Sequence, residues 1–220
     1  MPRQILLSWS GGKDSMLALH KLTVSQEYKV EALISHVDES TQRVSVHGIP
    51  RHLIEQQAKA LGLPLSIVEL PSSPSNAAYE TCVATALEPY RKNGIDTVAY
   101  GDLFLEDIRQ YREQMLANLG MRGHYPIWGN DTLQLAHEFI NSGFKALLVC
   151  VDSSQLDAGF VGRWFDDVFL KELPSNVDPC GENGEFHTFV VDGPLLKSPV
   201  PLEIGETFVR DNRFYHCEMQ

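Results

Sequence analysis

The sequence predicts an α/β protein, with a parallel sheet and flanking helices followed by a small C-terminal α+β element. Over the first two thirds of the chain, short β-rich runs alternate with helical patterns, which is typical of a parallel sheet with crossover helices. After Val151 the pattern changes to an irregular stretch with prolines and glycines, and then to three short strand-like runs. We therefore predict one domain at 1–151 and a second, smaller element at 152–220.

Strands and helices are expected to alternate along the first domain. The strands are predicted at 4–9, 30–37, 65–70, 97–100 and 146–151, and the helices at about 15–24, 51–61, 77–93, 108–119 and 132–142. Stop signals follow three of the helices, at Gly62, Gly94 and Gly143. The C-terminal strands are predicted at 186–192, 203–210 and 213–218. Right-handed crossovers place a ligand crevice at the carboxyl ends of the parallel strands.

Composition limits the classes of protein. The chain has 220 residues, of which 43% are hydrophobic and 21% are charged, so a disordered, collagen-like or coiled-coil protein is excluded. The N-terminus carries no apolar signal and the chain has no long apolar run, so we expect a cytoplasmic protein with no membrane partner. The net charge of −11 disfavours nucleic acid as the main partner.

The four cysteines are widely spaced and form no C-x-x-C pair or zinc-type spacing with histidine. They are Cys82, Cys150, Cys180 and Cys217. The spacing indicates neither a disulfide framework nor a zinc ribbon, so we expect reduced thiols that serve mostly as small core residues.

A glycine-rich segment from Ser10 to Ser15 joins the first strand to the first helix. Its two glycines let backbone N–H groups approach a phosphate, and the helix N-terminus adds a favourable partial charge. Lys13 adds a cation, and the serines add hydroxyl donors. The spacing is neither that of a Walker A loop nor that of a dinucleotide-binding loop. It predicts a phosphate-binding loop, with an ordinary strand-to-helix turn as the alternative. As a loop residue, Lys13 is expected to pack little core.

The hexapeptide Ser10-Gly11-Gly12-Lys13-Asp14-Ser15 resembles the PP-loop of the ATP pyrophosphatase superfamily. Further blocks make the chain similar to the diphthine–ammonia ligase family. They are Ser8–Ser15, Val46–Pro50, Gly101–Asp107 with Arg109 and Arg112, Pro126–Gly129, and Asp178–Thr188, the last containing G-E-N-G-E-F-H-T. The blocks cover most of the chain, which ends at Gln220 as in the short archaeal and bacterial members of the family.

This resemblance implies a HUP-type, Rossmann-like nucleotide domain. It also implies ATP-dependent formation of an amide from a carboxylate and ammonia, with AMP and pyrophosphate as products. Mg²⁺ is expected with ATP because a bound cation would reverse the repulsion between Asp14 and the phosphates. The acceptor is either protein-bound diphthine, if the source makes diphthamide, or a small molecule. A homodimer is one assembly that we allow for.

The loop chemistry suits this reaction. Adenylation gives the carboxylate a better leaving group than hydroxide, and Lys13 with the loop N–H groups would stabilise the departing pyrophosphate. Asp14 either binds Mg²⁺ or caps the first helix, and the sequence leaves both open.

Two carboxylates, Glu182 and Glu185, flank a glycine-rich turn near the C-terminus. Together they could bind ammonium and take a proton from it as nitrogen attacks the acyl adenylate. The alternative is a solvated acidic turn. His187 is either a general base or a core histidine, and the sequence does not separate the two.

Four charged residues follow the fourth strand, at the expected crevice edge: Asp102, Glu106, Arg109 and Arg112. The two arginines share a helical face with Glu106 and could clamp a substrate carboxylate or the α-phosphate. A surface charge ladder is the alternative. His36, near the carboxyl end of the second strand, lies where such folds commonly contact adenosine.

The predicted site therefore has three parts. The expected catalytic residues are Lys13, Asp14, Glu182, Glu185 and His187, with Asp14 also the metal ligand. The expected ATP contacts are Ser10, Gly11, Gly12, Lys13, Asp14, Ser15, His36, Gly101 and Asp102. The expected acceptor contacts are Glu106, Arg109, Arg112, Glu182, Glu185 and Thr188.

Other functions remain as alternatives. A PP-loop enzyme could amidate another small molecule or thiolate transfer RNA, but thiolation enzymes usually have paired cysteines and a basic surface, and this chain has neither. A module that binds ATP without turnover would not need a second reactive group such as the acidic turn.

Overall fold

The computed structural model describes residues 2–45 and 47–220, so Met1 and Val46, the first residue of the block at 46–50, lie outside the described residues. In chain order the elements are β1 (Arg3–Ser8), α1 (Lys13–Ser25), β2 (Tyr28–Asp38), α2 (Arg51–Leu61), β3 (Leu65–Leu70), α3 (Asn76–Lys92), β4 (Thr97–Ala99), α4 (Glu106–Asn118), β5 (Arg122–His124), α5 (Thr132–Asn141), β6 (Lys145–Asp152), α6 (Asp167–Glu172), β7 (Phe186–Asp192), β8 (Ile204–Arg210) and β9 (Phe214–Met219). A short 3₁₀ turn at Ala158–Phe160 precedes α6.

The first sheet is parallel, in the order β3-β2-β1-β4-β5, with helices on both faces. This confirms the predicted α/β class. Strand β5 is not among the predicted strands. It has only three residues, Arg-Gly-His, and no apolar alternation that would indicate a strand, and it is defined by its pairing with β4.

Strand β6 exists where the sequence predicts a strand, but it does not belong to the parallel sheet. It lies in a second sheet with the order β7-β6-β9-β8 and runs antiparallel to β7 and β9. The expectation of a fifth parallel strand here is wrong because seven of the eight β6 residues are buried, and such an apolar run indicates burial on both faces without giving strand direction. The chain thus passes from the first sheet to the second between His124 and Lys145. The division of the chain after residue 151 into two domains stays a prediction.

The larger hydrophobic core joins the two sheets. It contains Leu7 and Leu17 from β1 and α1 together with Val149 and Phe189 from β6 and β7. A smaller core lies on the other face of the parallel sheet, beneath α3 and α4. Strand β7 therefore packs close to the start of α1, where the glycine-rich segment is. Within the described chain, no helix has the length and apolar character needed to cross a bilayer.

Candidate functional site

A cavity of about 210 Å³ opens where β1 and β4 end and α1 begins. Its wall brings together the glycine-rich segment, the end of β4, one face of α4 and the acidic turn before β7. The lining residues are Ser8, Ser10, Lys13, Asp14, Ser15, His47, Gly101, Asp102, Arg112, Gly181, Glu182, Phe186, His187 and Thr188. Parallel α/β sheets commonly bind ligands at this edge.

The glycine-rich loop needs both of its glycines. Gly11 has a φ of +80°, and a Cβ there would lie 2.6 Å from Ile54 Cδ1. Gly12 is the N-cap of α1, and a Cβ there would lie 3.0 Å from the carbonyl oxygen of Thr188. Gly12 has no side chain with which to cap α1, and Lys13, Asp14 and Ser15 of the first turn line the cavity. The helix N-terminus therefore faces the cavity in the way that anion-binding helices do.

Gln57 holds this loop and Trp9 holds Gln57, and the sequence analysis assigned a role to neither. Gln57 is fully buried, and its Nε2 donates to the carbonyl oxygens of Gly11 (3.0 Å) and Val190 (2.7 Å). Its Oε1 accepts a hydrogen bond from the indole Nε1 of Trp9 (2.7 Å). A glutamine on the otherwise apolar stripe of α2 was the available sequence signal, since a buried amide needs such partners.

Strand β7 of the second sheet forms hydrogen bonds with the loop. The Lys13 N–H donates to Thr188 Oγ1 (3.0 Å), and the Val190 N–H donates to the Gly11 carbonyl oxygen (2.9 Å). Thr188 was expected to contact the acceptor. It lines the cavity, but its hydroxyl accepts from the first residue of α1.

Lys13 is only 2% exposed. Its Nζ donates to both oxygens of Asp14 (2.9 and 2.8 Å) and to the Cys180 carbonyl oxygen, with the Phe165 and Phe186 rings 5.7 and 5.5 Å away. Burial opposes the charged form most strongly, but Asp14, Cys180 and Glu182 together outweigh it and hold the pKa of Lys13 above its ordinary value. The expectation that this lysine packs little core is therefore wrong.

Asp14 is not the N-cap of α1, because Gly12 occupies that position. Its carboxylate instead forms an ion pair with Lys13, and both residues line the cavity. In the described chain no three His, Cys, Asp or Glu side chains converge as a metal site. Mg²⁺ in nucleotide enzymes is usually held by one or two carboxylates together with the phosphates, and Asp14 fits that donor set.

A group of carboxyls surrounds the cavity. Glu182 Oε1 accepts from the Leu103 N–H (2.8 Å). Burial raises the pKa of Glu182 to about 7, the Leu103 N–H opposes this rise, and Asp14 and Asp102 add to it. Burial also raises the pKa of Asp102, although Arg112 Nε lies 3.3 Å from its Oδ2. A carboxyl that titrates near neutral pH is suited to accept and release protons.

Glu185 is not on the cavity wall. It is 2% exposed, and its Oε1 accepts from the Asp178 N–H (3.0 Å) and from Asn183 Nδ2 (3.0 Å). The structure thus separates the two carboxylates that the sequence analysis paired: Glu182 faces the cavity and Glu185 holds the turn. Because Glu185 is buried, the alternative of a solvated acidic turn is wrong for this residue.

His187 lines the cavity beside His47, with ring centroids 4.4 Å apart. Burial lowers the pKa of His187 well below its ordinary value and that of His47 to about 4, so both rings are neutral at pH 7. His47 had no role in the prediction. The expected role of His187 in proton transfer stays a prediction.

The charged residues of α4 divide into two groups. Arg112 lines the cavity with its guanidinium 4.3 Å from the centroid of the Tyr100 ring. Arg109 lies outside the cavity, where its Nε donates to Glu113 Oε1 (2.8 Å). Glu106, also outside, accepts from Gln110 Nε2 (3.1 Å). Glu106 and Arg109 thus pair with neighbours along α4, and the Arg109 guanidinium also lies 4.7 Å from the centroid of the Trp128 ring. Their expected contacts with the acceptor stay predictions.

Gly101 lies where β4 ends and α1 begins. A Cβ there would lie 2.8 Å from the carbonyl carbon of Asp14, so only glycine lets the two elements approach this closely. His36 lies outside the cavity wall, with its ring centroid 5.5 Å from that of Tyr79, and burial lowers its pKa to about 4. Its expected contact with adenosine stays a prediction.

Three of the cysteines, Cys150, Cys180 and Cys217, are buried. Burial raises the pKa of each of these thiols, for Cys150 and Cys180 to about 12. Cys180 Sγ donates to the Thr132 carbonyl oxygen (3.2 Å). These three thiols therefore supply little thiolate at neutral pH.

Comparison with known proteins gives one family. The profile described as "Diphthamide synthase N-terminal domain" matches residues 3–123, and the profile described as "Diphthamide synthase C-terminal domain" matches residues 131–219. The diphthine--ammonia ligase of Rattus norvegicus is 24% identical over 222 residues, which cover 91% of this chain and 83% of the relative. The diphthine--ammonia ligase of Schizosaccharomyces pombe is 26% identical over 212 residues, which cover 88% of this chain and 35% of that longer relative.

Among solved structures, a protein described as a predicted subunit of tRNA methyltransferase from Methanocaldococcus jannaschii aligns with a TM-score of 0.41 and 17% identity. The alignment covers 68% of this chain and 78% of that one.

Proposed function

The chain belongs to the diphthamide synthase family, and from this premise we propose that it is an ATP-dependent ligase that forms diphthamide from diphthine and ammonia and releases AMP and pyrophosphate. The observation that carries the proposal is the shared cavity. On one wall lies a glycine loop with Lys13 at a helix N-terminus, and on another lies Glu182, whose pKa is about 7. Phosphate binding and proton transfer thus have their groups within one small space.

In the first step, an oxygen of the diphthine carboxylate attacks the α-phosphorus of ATP, and the bond to the β-phosphate oxygen breaks. Pyrophosphate leaves with the negative charge. Lys13 and the N–H groups at the start of α1 stabilise that charge, which is electrostatic catalysis without a covalent bond to the protein. Ser10, Ser15 and Gly101 line the same wall and are proposed ATP contacts.

Mg²⁺ bound with the nucleotide would neutralise part of the phosphate charge. Asp14 is the proposed ligand, and Asp102 lies on the same cavity wall. Arg112, which also lines the cavity, is the proposed cation for the substrate carboxylate or the α-phosphate.

In the second step, nitrogen attacks the acyl carbon of the adenylate, and the bond from that carbon to the AMP oxygen breaks. An ammonium ion must first lose a proton, and Glu182 takes it. The second nitrogen proton passes to the departing AMP. A carboxyl with a pKa near 7 is half deprotonated at neutral pH, so Glu182 can accept a proton and release it again.

The proposal includes four contacts made by residues outside the cavity wall. Contacts of His36 with adenosine, of Glu106 and Arg109 with the acceptor, and of Glu185 with ammonium are retained as proposals, although all four residues lie outside the cavity wall. A homodimer and a cytoplasmic location are likewise part of the proposal, and no residue is assigned to them.

Transfer of sulfur to RNA is the less favoured alternative, because burial raises the pKa of Cys150, Cys180 and Cys217. A module that binds ATP without turnover would have no use for a carboxyl poised near neutral pH beside its phosphate loop.

The test is product analysis. The protein is incubated with Mg²⁺, ATP, ammonium chloride and an acceptor protein that carries diphthine, and the nucleotides are separated by ion-exchange chromatography. We expect AMP and pyrophosphate in equal amounts over many turnovers, with continued release only when ammonium and the acceptor are both present. An acceptor that already carries diphthamide is the matched control and should give no AMP. Release of ADP and phosphate would contradict the proposal.

A further inference from the structure

The turn that carries Glu182 is organised by one carboxylate, that of Asp178. Asp178 Oδ1 accepts hydrogen bonds from the N–H groups of Cys180 (2.9 Å) and Glu182 (3.2 Å). The N–H of Asp178 in turn donates to Glu185 Oε1 (3.0 Å). The buried Glu185 thus anchors Asp178, and Asp178 fixes the backbone of the next four residues.

The two residues held by Asp178 face different parts of the site. The carbonyl oxygen of Cys180 accepts from the Lys13 ammonium, on the phosphate side. The carboxyl of Glu182 accepts from the Leu103 N–H and lines the cavity, on the acceptor side. A single carboxylate oxygen therefore sets where the phosphate lysine and the proton-accepting carboxyl lie relative to one another.

Asp178 itself does not line the cavity, so its carboxylate has no access to the reacting atoms. We propose that Asp178 is a positioning residue, which holds the Cys180 carbonyl oxygen on Lys13 and the Glu182 carboxyl in the cavity at the same time. The effect of Asp178 on turnover rests on the proposed function. Its effect on nucleotide affinity requires only that the loop binds ATP.

The chemistry of the contact sets the choice of variants. Asp178→Asn keeps an oxygen that can accept both N–H groups, whereas Asp178→Ala removes it. Asp178→Glu keeps the carboxylate but moves it by one methylene, and it decides the question if Asp178→Ala does not fold. Asp157→Ala is the matched control, because Asp157 Oδ1 accepts a backbone N–H in the same way (from Gly159, 2.8 Å), but the residue that it holds does not line the cavity, whereas Asp178 holds Glu182, which does.

The full-length variants are compared with wild type in two assays. Calorimetric titration with a non-hydrolysable ATP analogue and Mg²⁺ reports the phosphate side, and steady-state kinetics with ammonium chloride and the diphthine-bearing acceptor protein report the acceptor side. For Asp178→Ala we expect kcat to fall about a hundredfold and analogue affinity to fall about tenfold, the usual effects of misplacing an acid–base group and of loosening a charged contact. We expect Asp178→Glu to lower kcat at least about tenfold, since small displacements are costly in catalysis. Asp178→Asn should stay within about threefold of wild type in both assays, because it restores the hydrogen bonds.

A merely structural turn would give a different result. Asp178→Ala would then lower the melting temperature as Asp157→Ala does, with kcat, KM and analogue affinity unchanged per folded molecule, and this would overturn the proposal. Loss of activity in Asp178→Asn equal to that in Asp178→Ala would also overturn it. If the wild-type protein releases no AMP with this acceptor, the proposed function fails, and the analogue titration alone decides the role of Asp178.

Discussion

Lys13 combines a functional charge with a buried position. Replacing it by Ala removes a charged contact worth about 1.5–3 kcal/mol, so the affinity for an ATP analogue should fall roughly ten- to a hundredfold. Because Lys13 packs near Phe165 and Phe186 and holds Asp14, the melting temperature should fall as well. Calorimetric titration and thermal unfolding measure the two effects. Lys21→Ala, which removes a partly exposed lysine of the same helix, is the control and should change neither strongly. Unchanged analogue affinity in Lys13→Ala would remove the loop from the phosphate site.

Glu182 gives the reaction its expected pH dependence. As a proton acceptor it must be ionised, so kcat should rise with pH through about 7, the pKa to which burial raises this carboxyl. Glu182→Gln should lower kcat by about a hundredfold and abolish this step, while the analogue affinity stays unchanged. If the rise of kcat near pH 7 persists in Glu182→Gln, the titrating group is not Glu182.

The same shift predicts a stability effect of Glu182. The pKa of its carboxyl rises from 4.5 to about 7 on folding, so its contribution to stability is complete below pH 4.5 and is lost as the pH rises through 7. Glu182→Gln should therefore unfold at a higher temperature than wild type above pH 7, as scanning calorimetry at several pH values would show.

At the scale of single residues, the sequence identified residues around the site but not the direction in which each side chain points. Glu182 and Glu185 are three positions apart in one motif, yet one faces the cavity and the other is buried in the turn. The chain reverses at Gly181 and Gly184, whose φ values are +69° and +82°, and motif spacing alone does not give the side-chain directions after such reversals. Gln57 was missed for a related reason, since its three partners come from distant segments.

At the scale of elements, the join between β7 and α1 positions the phosphate loop. Thr188→Val keeps the size of the side chain but removes the acceptor for the Lys13 N–H, so we expect a loss of about 1 kcal/mol or more in stability and a several-fold rise in KM for ATP. Thr188→Ser keeps the oxygen and should behave almost as wild type. Steady-state kinetics with varied ATP, together with urea unfolding, measure both effects. Equal behaviour of the Val and Ser variants would show that this hydrogen bond does not position the loop.

Most helices and strands were predictable because their apolar periodicity and glycine stops are local. The placement of β6 was not, because its partners β7 and β9 follow it in the chain by more than thirty residues and its buried run fits either sheet. Strand β5 carries no local signal, since backbone pairing with β4 alone defines it.

At the scale of the whole molecule, the larger core predicts one cooperative unit. Residues of both sheets belong to it, so circular dichroism and tryptophan fluorescence should report coincident urea transitions. A fragment of residues 1–151 would leave β6 without β7 and β9, and it should be unfolded or aggregated. Two separate transitions, or a folded fragment, would contradict a shared core and would support the predicted division after residue 151.

The central claim is that a carboxylate is adenylated in the cavity before nitrogen attacks. The most direct measurement uses an acceptor in which both oxygens of the diphthine carboxylate are ¹⁸O, with mass spectrometry of the AMP released in the presence of ammonium. Attack of the carboxylate on the α-phosphorus leaves one carboxylate oxygen on AMP, so we expect one ¹⁸O in each AMP and none in pyrophosphate. Unlabelled AMP would show that water attacks the nucleotide, and labelled inorganic phosphate would show that the γ-phosphoryl group activates the acceptor. Either result would contradict the account.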